Sequence, residues 1–433
     1  MSDDLIERIL AGSFPDPDGG PLLTVATRSV VIARSLRGME ADIVGRLGLG
    51  RRLAVVSDAT THEILGDRVE RALRSLGEVA SLQLPDQPHA DETTVERIRA
   101  ATTSATALIA VGSGTINDLC KYASAIDRKP YAVFGTAPSM NGYTSLNAAI
   151  TVHGHKQSLA AQAPLGAFFD LAVLAAAPAR MIRSGLGDSL CRTTAQADWM
   201  LSHLLFGTPY RSMPFVLLAD DEPALFAEPD ALLGGSLAAM ERLVRTLILS
   251  GLGTAICGNS QAASQGEHLI SHYADMLGDP AWPFSFHGEQ IGVTTLSMAR
   301  LQHHLLDGPP PQLAPDTADE AAFVARFGGE LGRSCWKEFT SKRLDAKRAA
   351  VLNERIVATW DQIRERIQAI LLPVAFLEAV LESSGNPRSP TEVGWSRSFY
   401  RTALRHAREI RNRYTFLDLA ANSGALERLA GAI

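Results

Sequence analysis

Short apolar runs and amphipathic segments alternate along the first third of the chain. The runs lie between turn residues, as buried strands do, and the segments between them repeat apolar residues at helical spacing. The predicted strands are TRSVVIA, RRLAVVSD, VASLQLP, TALIAVG and YAVFGTAP, and the predicted helices are SLRGMEADIVGRLG, THEILGDRVERALRSLG, ETTVERIRAATTS and INDLCKYASAID. This alternation predicts a parallel sheet covered by helices on both faces.

The pattern changes after about residue 145. NAAITVHGHKQSL and GAFFDLAVL predict a hairpin or extra edge strands, and from Ala179 onward nearly every segment has helical periodicity. The predicted helical segments are 179–206, 223–256, 259–278, 288–306, 317–330, 347–382 and 396–411. A chain of 433 residues is too long for one ordinary core. We therefore expect an α/β domain over residues 1–175 and an all-helical domain over residues 176–433.

Composition narrows the class of protein. Hydrophobic residues make up 46% and charged residues 20% of the chain, and a net charge of −6 gives no electrostatic case for nucleic-acid binding. The four cysteines form no CxxC pair, which argues against a disulfide framework or a thiolate zinc site. No apolar export signal and no run of membrane-spanning length is visible. We expect a cytoplasmic globular protein with no membrane partner.

Three of the eleven histidines lie close together in the sequence, at His268, His272 and His287. His268 and His272 are four residues apart in a helical pattern and so share a face, and His287 opens the next predicted helix. Imidazole is the commonest protein ligand for divalent transition metals, and Asp188 in GLGDSLCR is a candidate third ligand. The alternative is that these are ordinary buried or half-buried histidines. For the group as a whole, the metal site is favoured.

A glycine-containing turn follows the apolar strand TALIAV. Gly112, Ser113 and Gly114 lie directly before a helix, whose free N–H groups and positive dipole end suit a phosphate. Asp118, one turn into that helix, either favours its positive end or contacts a ligand. The turn departs from the usual dinucleotide fingerprint, because Asn117 replaces the third glycine and because it follows the fourth predicted strand instead of the first.

Two further strand ends carry polar candidates. Asp58 ends RRLAVVSD, where a carboxylate can bind an adenosine ribose and favour NAD over NADP, or can simply cap the next helix. The loop GTAPSMNGYTS at 135–145 follows another strand. Hydroxyls of Thr136, Ser139 and Ser145 are expected to bond a cofactor, and Asn141 to face the substrate.

Together these stretches resemble the sn-glycerol-1-phosphate dehydrogenases, within the superfamily of iron-containing alcohol dehydrogenase, glycerol dehydrogenase and dehydroquinate synthase. The resemblance covers most of the chain in the expected order. It is carried by VGSGTINDLCKYA, GTAPSMNGYTSLNAAITVHGHKQSL, APLGAFFDLAVL, SGLGDSLCRTTAQADW, GEHLISHYADM, FHGEQIGV and IRNRYTFLDL.

The resemblance implies a Rossmann-like N-terminal domain, an all-helical C-terminal domain and an active site in the cleft between them. It implies one divalent metal held by Asp188, His268 and His287, with Asp188 and His272 also facing the substrate. It places NAD or NADP on a set of polar and glycine positions. These are Asp58, Gly112, Ser113, Gly114, Thr115, Asp118, Thr136, Ser139 and Ser145.

The implied reaction is reduction of dihydroxyacetone phosphate to sn-glycerol 1-phosphate by hydride transfer. A metal with an open position polarises the carbonyl, and either His272 or a metal-bound water supplies the proton. Two histidines and one carboxylate suit zinc, nickel or iron(II) alike. For the substrate phosphate the candidate cations are His155, Lys156 and Arg192, whose alternative role is that of solvated surface charges.

Two residues depart from the family pattern, which usually has three glycines in the turn and an Asp that contacts substrate in the loop. Here Ser113 replaces the middle glycine and Asn141 replaces the Asp. Asn141 keeps the size and hydrogen bonding of that Asp but has no charge and cannot take up a proton. It motivates an alternative, a related reductase of another small polyol, aldehyde or phosphonate.

Two other hypotheses have less support from the residues. One is a non-catalytic nucleotide-binding homologue, which would have no reason to keep the Asp188, His268 and His287 set. The other is a cyclase of the dehydroquinate synthase type, whose motifs fit less well. The expected partners are a small phosphorylated substrate and further copies of the chain, with a homodimer as the simplest assembly.

Overall fold

The structure is a computed structural model that describes residues 4–152 and 155–432. Its internal contacts divide the chain into two compact units. Unit 1 comprises Met1–Ser189 and Arg211–Ser260, and unit 2 comprises Leu190–Tyr210 and Gln261–Ile433. This division differs from the boundary expected at residues 175 and 176, because residues 176–189 and 211–260 belong to the same unit as the sheet.

Unit 1 is built on a parallel sheet, as predicted, and the sheet has six strands. The strands are β1 Ser29–Ala33, β2 Arg52–Asp58, β3 Glu78–Leu84, β4 Ala107–Gly112, β5 Tyr131–Gly135 and β8 Gly166–Asp170. Their order in the sheet is β1-β8-β5-β4-β2-β3. Strands β4, β5 and β8 are buried throughout, which agrees with their nearly unbroken apolar sequences.

One strand prediction is wrong. GAFFD was expected in a hairpin or at an edge, but β8 pairs in parallel with both β1 and β5 and is therefore interior. Its two phenylalanines explain this position, because Phe168 and Phe169 are buried and the Phe168 ring lies 4.9 Å from that of Phe134 on β5. The predicted hairpin is present just before it, as β6 Asn147–Val152 paired antiparallel with β7 His155–Ala160.

Amphipathic helices accompany the strands of unit 1. The predicted helix THEILGDRVERALRSLG has three parts, because a π-helical turn over His62–Gly66 interrupts it. The helices before residue 190 are α1 Leu5–Leu10, α2 Glu40–Gly45, α3 Ala59–Thr61, α4 Asp67–Leu73, α5 Glu92–Ala101, α6 Gly114–Ile126, α7 Leu171–Ala175 and α8 Ala179–Ser189. After Tyr210 the unit adds α10 Met213–Val216, α11 Asp221–Ala227, α12 Pro229–Leu233 and α13 Leu237–Cys257.

Among its described residues, unit 2 has helices and no strand. Its helices enclose an apolar core with Trp360, Phe323 and Phe416 among the fully buried side chains. They are α9 Arg192–Phe206, α14 Gly266–Leu277, α15 His287–Asp307, α16 Glu320–Phe327, α17 Gly329–Thr340, α18 Ala346–Gln368, α19 Val374–Ser383, α20 Arg397–His406, α21 Phe416–Asn422 and α22 Leu426–Ala432. Short 3₁₀ turns lie at Pro390–Val393 and Ala407–Ile410. None of the described helices has the length and apolar character needed to cross a membrane.

Candidate functional site

The glycine-containing turn connects β4 directly to the N-terminus of α6. Strand β4 ends at Gly112, Ser113 is the N-cap, and no side-chain hydrogen bond from Ser113 caps the helix. A Cβ atom on Gly112 would lie 2.6 Å from the Ile116 Cβ atom, so only glycine allows this tight passage from strand to helix. The first turn of α6, which includes Thr115, therefore presents backbone N–H groups of the kind that bind phosphate.

The loop after β5 lies beside this turn. The Thr136 backbone N–H donates to the Gly112 carbonyl at 3.1 Å, and Thr136 and Ser139 are both buried. Two of the predicted cofactor-binding stretches are therefore neighbours at the carboxyl end of the sheet, which is where parallel sheets bind ligands. The roles of the individual residues stay predictions.

A buried lysine that the sequence did not single out supports the same loop. The Lys121 ammonium donates to the carbonyl oxygens of Gly142 and Asn147 at 2.6 and 3.0 Å and to the Ser145 hydroxyl at 3.2 Å. Its ion-pair partner is Asp118, at 3.4 Å. Burial lowers the pKa of Lys121, and the charge of Asp118 opposes that shift. Asp118 and Ser145 thus hold the loop, whether or not they also contact a cofactor.

Asp58 caps a helix, the second of the two roles expected for it. Its carboxylate accepts from the Thr61 backbone N–H at 2.7 Å, and the Thr61 hydroxyl reciprocates by accepting from the Asp58 N–H at 3.0 Å. The carboxylate still lies at the carboxyl end of β2, beside β4. A role in binding the ribose stays a prediction.

Asp188 lies near the end of α8 and is fully buried. Within unit 1 its Oδ2 atom accepts a hydrogen bond of 2.8 Å from the Asn141 backbone N–H. The loop is fixed on the same helix by the Ser184 hydroxyl, which donates to the Ser139 carbonyl at 2.9 Å. The structure therefore brings Asp188 and the Asn141 loop together, and a main-chain bond orients the carboxylate.

Glycines in two helices, α8 and α13, allow the loop to lie directly against the helix backbone. A Cβ atom on Gly185 of α8 would overlap the Pro138 carbonyl oxygen, and one on Gly251 of α13 would overlap the Thr144 hydroxyl. The Thr144 hydroxyl donates to the Ile248 carbonyl at 3.0 Å, which ties the loop to α13 as well. The loop thus lies in close contact with the backbone of both helices.

The three histidines of unit 2 converge. His268 and His272 are on α14, and His287 is the first residue of α15. The His287 ring centroid lies 5.1 Å from that of His268 and 6.2 Å from that of His272, and the His268 and His272 centroids are 5.9 Å apart. His268 is 5% exposed, whereas His287 is half-buried. The helical spacing in the sequence predicted this grouping.

Two buried carboxylates at the start of α14 were missed by sequence reasoning. Glu267 contacts His268, with 3.0 Å between its Oε1 atom and the histidine Nδ1. Asp198 accepts hydrogen bonds from two backbone N–H groups, those of Gly266 at 2.9 Å and Phe416 at 2.8 Å. Gly266 is the first residue of α14 and Phe416 is the first residue of α21. Burial raises the pKa of Asp198 to about 8, and the charge of Glu267 adds to that shift.

The contribution of Asp198 to stability should therefore fall as the pH rises. Folded Asp198 keeps its proton up to about pH 8, whereas an unfolded Asp titrates near ~3.9. Between these values the folded state binds more protons, so the free energy of unfolding decreases with increasing pH. Asp198→Asn cannot titrate, and we expect it to reduce the loss between about pH 5 and pH 8 by on the order of a few kcal/mol. Denaturant unfolding of the wild-type and variant proteins across this pH range measures the difference. The same pH dependence of the unfolding free energy in both proteins would contradict the prediction.

The candidate phosphate-binding cations are residues of β7 and α9. Arg192 is the first residue of α9, and its Nη1 atom donates to the Gln196 side chain at 3.0 Å. Lys156 lies on β7 and is half-buried, and the side chain of His155 lies outside the described residues. Their role in binding phosphate stays a prediction.

Comparison with known proteins gives matches over most of the chain. Residues 31–178 match the family model described as iron-containing alcohol dehydrogenase. The glycerol-1-phosphate dehydrogenase (NAD(P)+) of Thermococcus kodakarensis is 33% identical over 276 residues, which cover 63% of this chain and 77% of that protein. The protein of the same name from Bacillus subtilis is 28% identical over 411 residues, 93% of each chain.

Solved structures show the same fold. A probable glycerol dehydrogenase from Sinorhizobium meliloti superposes with a TM-score of 0.58, at 17% identity, over 92% of this chain and 96% of that one. The glycerol dehydrogenase of Schizosaccharomyces pombe gives a TM-score of 0.55, at 18% identity, over 84% of this chain and 93% of that one. The predicted fold class, a parallel-sheet part followed by a largely helical part, is confirmed.

Proposed function

Because this chain belongs to the iron-containing alcohol dehydrogenase superfamily and is an oxidoreductase related to its glycerol-1-phosphate dehydrogenases, we propose that it interconverts dihydroxyacetone phosphate and sn-glycerol 1-phosphate with NAD or NADP. The observation that carries the proposal is the convergence of the His268, His272 and His287 rings. These histidines lie in a chain that aligns with a dehydrogenase of that name over 93% of its length.

We further propose that Asp188, His268 and His287 hold one divalent metal ion. Together they offer one carboxylate oxygen and two imidazole nitrogens, a donor set that suits zinc, nickel or iron(II). The residues fit such a metal ion. His268 is buried, and its ring is close enough to that of His287 for both to bind the same ion. The Asp188 carboxylate is oriented by a main-chain N–H. When bound, the metal supplies a Lewis acid for the carbonyl oxygen and the reduced nicotinamide supplies a hydride.

The chain's own groups supply binding and proton transfer. The N-terminal turn of α6 and the hydroxyls of Thr136 and Ser139 bind the cofactor phosphates and amide in this proposal. His272, one helical turn after His268, donates the proton that the developing alkoxide needs. Imidazole suits this role because its ordinary pKa lies close to neutral pH.

The direct test is oxidation of NADH and of NADPH by protein reconstituted with zinc, nickel or iron(II), with dihydroxyacetone phosphate as substrate. We expect turnover that a chelator removes and that added metal restores. Bound metal and bound NADH without turnover would contradict the proposed substrate and leave the site assignment intact.

Asn141 favours a second candidate function, reduction of another small polyol, aldehyde or phosphonate. Under this alternative, Asn141→Asp restores a charged substrate contact and raises kcat/KM for dihydroxyacetone phosphate roughly tenfold or more, equivalent to ~1.4 kcal/mol. Under the first proposal, the same variant leaves kcat/KM unchanged or lower. The backbone N–H that binds Asp188 is present in both proteins, so the comparison isolates the side chain.

A further inference from the structure

Glu267 is a fully buried carboxylate, and both of its oxygen atoms contact hydrogen-bond donors of unit 2. Its Oε1 atom lies 3.0 Å from His268 Nδ1 and accepts from the Gln265 backbone N–H at 2.7 Å. Its Oε2 atom accepts from the Thr194 hydroxyl at 3.1 Å. A carboxylate with this many fixed partners has one orientation, and the imidazole beside it shares that constraint.

The backbone around Glu267 is equally constrained. A Cβ atom on the preceding Gly266 would lie 2.8 Å from Asp198 Oδ2 and would overlap the Met298 side chain, so any larger residue here would force both side chains to shift. Asp198 in turn accepts from the Gly266 N–H. The position of Glu267 at the first turn of α14 is therefore set by packing as well as by hydrogen bonds.

Cys191, Glu267 and His268 also have the donor types of a second metal site. The hydrogen bonds argue against that use. Glu267 is engaged by Gln265, Thr194 and His268, and the Cys191 thiol donates to the Ala263 carbonyl at 3.6 Å. The contacts of Glu267 therefore favour a role in orienting His268.

We propose that Glu267 is a positioning residue that holds the proton of His268 on Nδ1 and so directs the Nε2 lone pair to the metal. This inference rests on the proposed metal site at Asp188, His268 and His287. A carboxylate that accepts from a ligating imidazole fixes its tautomer and ring orientation and increases its basicity. Thr194, on α9, orients Glu267 and is the next member of the same chain of contacts.

The test measures cobalt(II) and zinc affinity by competition with a chelator, together with the visible absorption spectrum of the cobalt form. Glu267→Gln keeps the size and one acceptor oxygen but removes the charge. We expect its metal affinity to fall roughly 10- to 100-fold, with a changed cobalt spectrum. Thr194→Val should cause a smaller loss, on the order of threefold, because Glu267 retains its other partners.

Thr193→Val is the matched control. Thr193 is a buried threonine on the same helix, and its hydroxyl bonds Ile370 and Leu372, away from Glu267. We expect lower thermal stability in this variant with unchanged metal affinity and an unchanged spectrum.

Each outcome decides a different point. Wild-type affinity and spectrum in both Glu267→Gln and Thr194→Val would overturn the positioning role while leaving the metal site in place. A wild-type protein that binds no cobalt, or a His287→Ala variant that binds it as tightly, would overturn the metal site and the positioning role with it. If Glu267→Gln does not fold, the contrast between Thr194→Val and Thr193→Val still decides the matter.

Discussion

His287→Ala is expected to abolish metal binding and turnover together. The variant removes one of the three proposed ligands, and the two that remain cannot complete the site. A catalytic metal contributes several kcal/mol of charge stabilisation in the transition state, so kcat/KM should fall on the order of a thousandfold or more. Metal content after dialysis and steady-state kinetics on the same preparation measure both effects.

His304→Ala provides the control for this experiment. His304 is on the same helix, α15, but is exposed, so its removal changes neither the histidine group nor the core. We expect wild-type metal content and kinetics from it. A His287→Ala protein with full activity and one equivalent of metal would show that the ligand assignment is wrong.

The fold was predictable where local pattern and tertiary packing agree. β4 reads as a buried strand and is one, because six consecutive small or branched apolar residues suit the interior of a parallel sheet. The position of β8 was not predictable in the same way. Its sequence shows a buried strand, but its place between β1 and β5 depends on a connection that runs through the β6–β7 hairpin.

The helical part shows a similar limit. Periodicity predicted one continuous segment over 179–206, whereas α8 ends at Ser189 and α9 begins at Arg192. The division of the chain into compact units falls at this break. Periodicity reports which face of a helix is apolar but does not report against which sheet or helix that face packs, so it does not give the division into these units.

Within the candidate site, the sequence predicted groups with local spacing and missed those set by packing. His268 and His272 share a helix face, and a face can be read from spacing of four residues. Lys121 and Asp198 gave no such signal, because their partners lie far away in the chain, at Gly142 and at Phe416. The Glu267 contact is adjacent in sequence, and the signal that was available is a carboxylate beside a candidate ligand in GEH.

Gly185→Ala is expected to disturb the site through the backbone. The added methyl group would overlap the Pro138 carbonyl oxygen, and because both partners are main chain, no flexible side chain can move aside. The loop must shift from α8, which weakens the 2.8 Å bond from Asn141 to Asp188. We expect a loss of about 1–3 kcal/mol in the free energy of unfolding. Since a displacement of about 1 Å can cost ~100-fold in rate, kcat should fall by a comparable factor.

Two further variants separate this clash from general effects of substitution. Gly329→Ala adds the same methyl group at the start of α17, where the surrounding space is open, and should leave stability and kinetics unchanged or slightly improve stability. Ser184→Ala removes one hydrogen bond to the loop and should cost about 1 kcal/mol. Denaturant unfolding and kinetics of the three proteins give the comparison. If Gly185→Ala matches Gly329→Ala in both measurements, the backbone contact between α8 and the loop does not orient Asp188, and the carboxylate must owe its position to other groups.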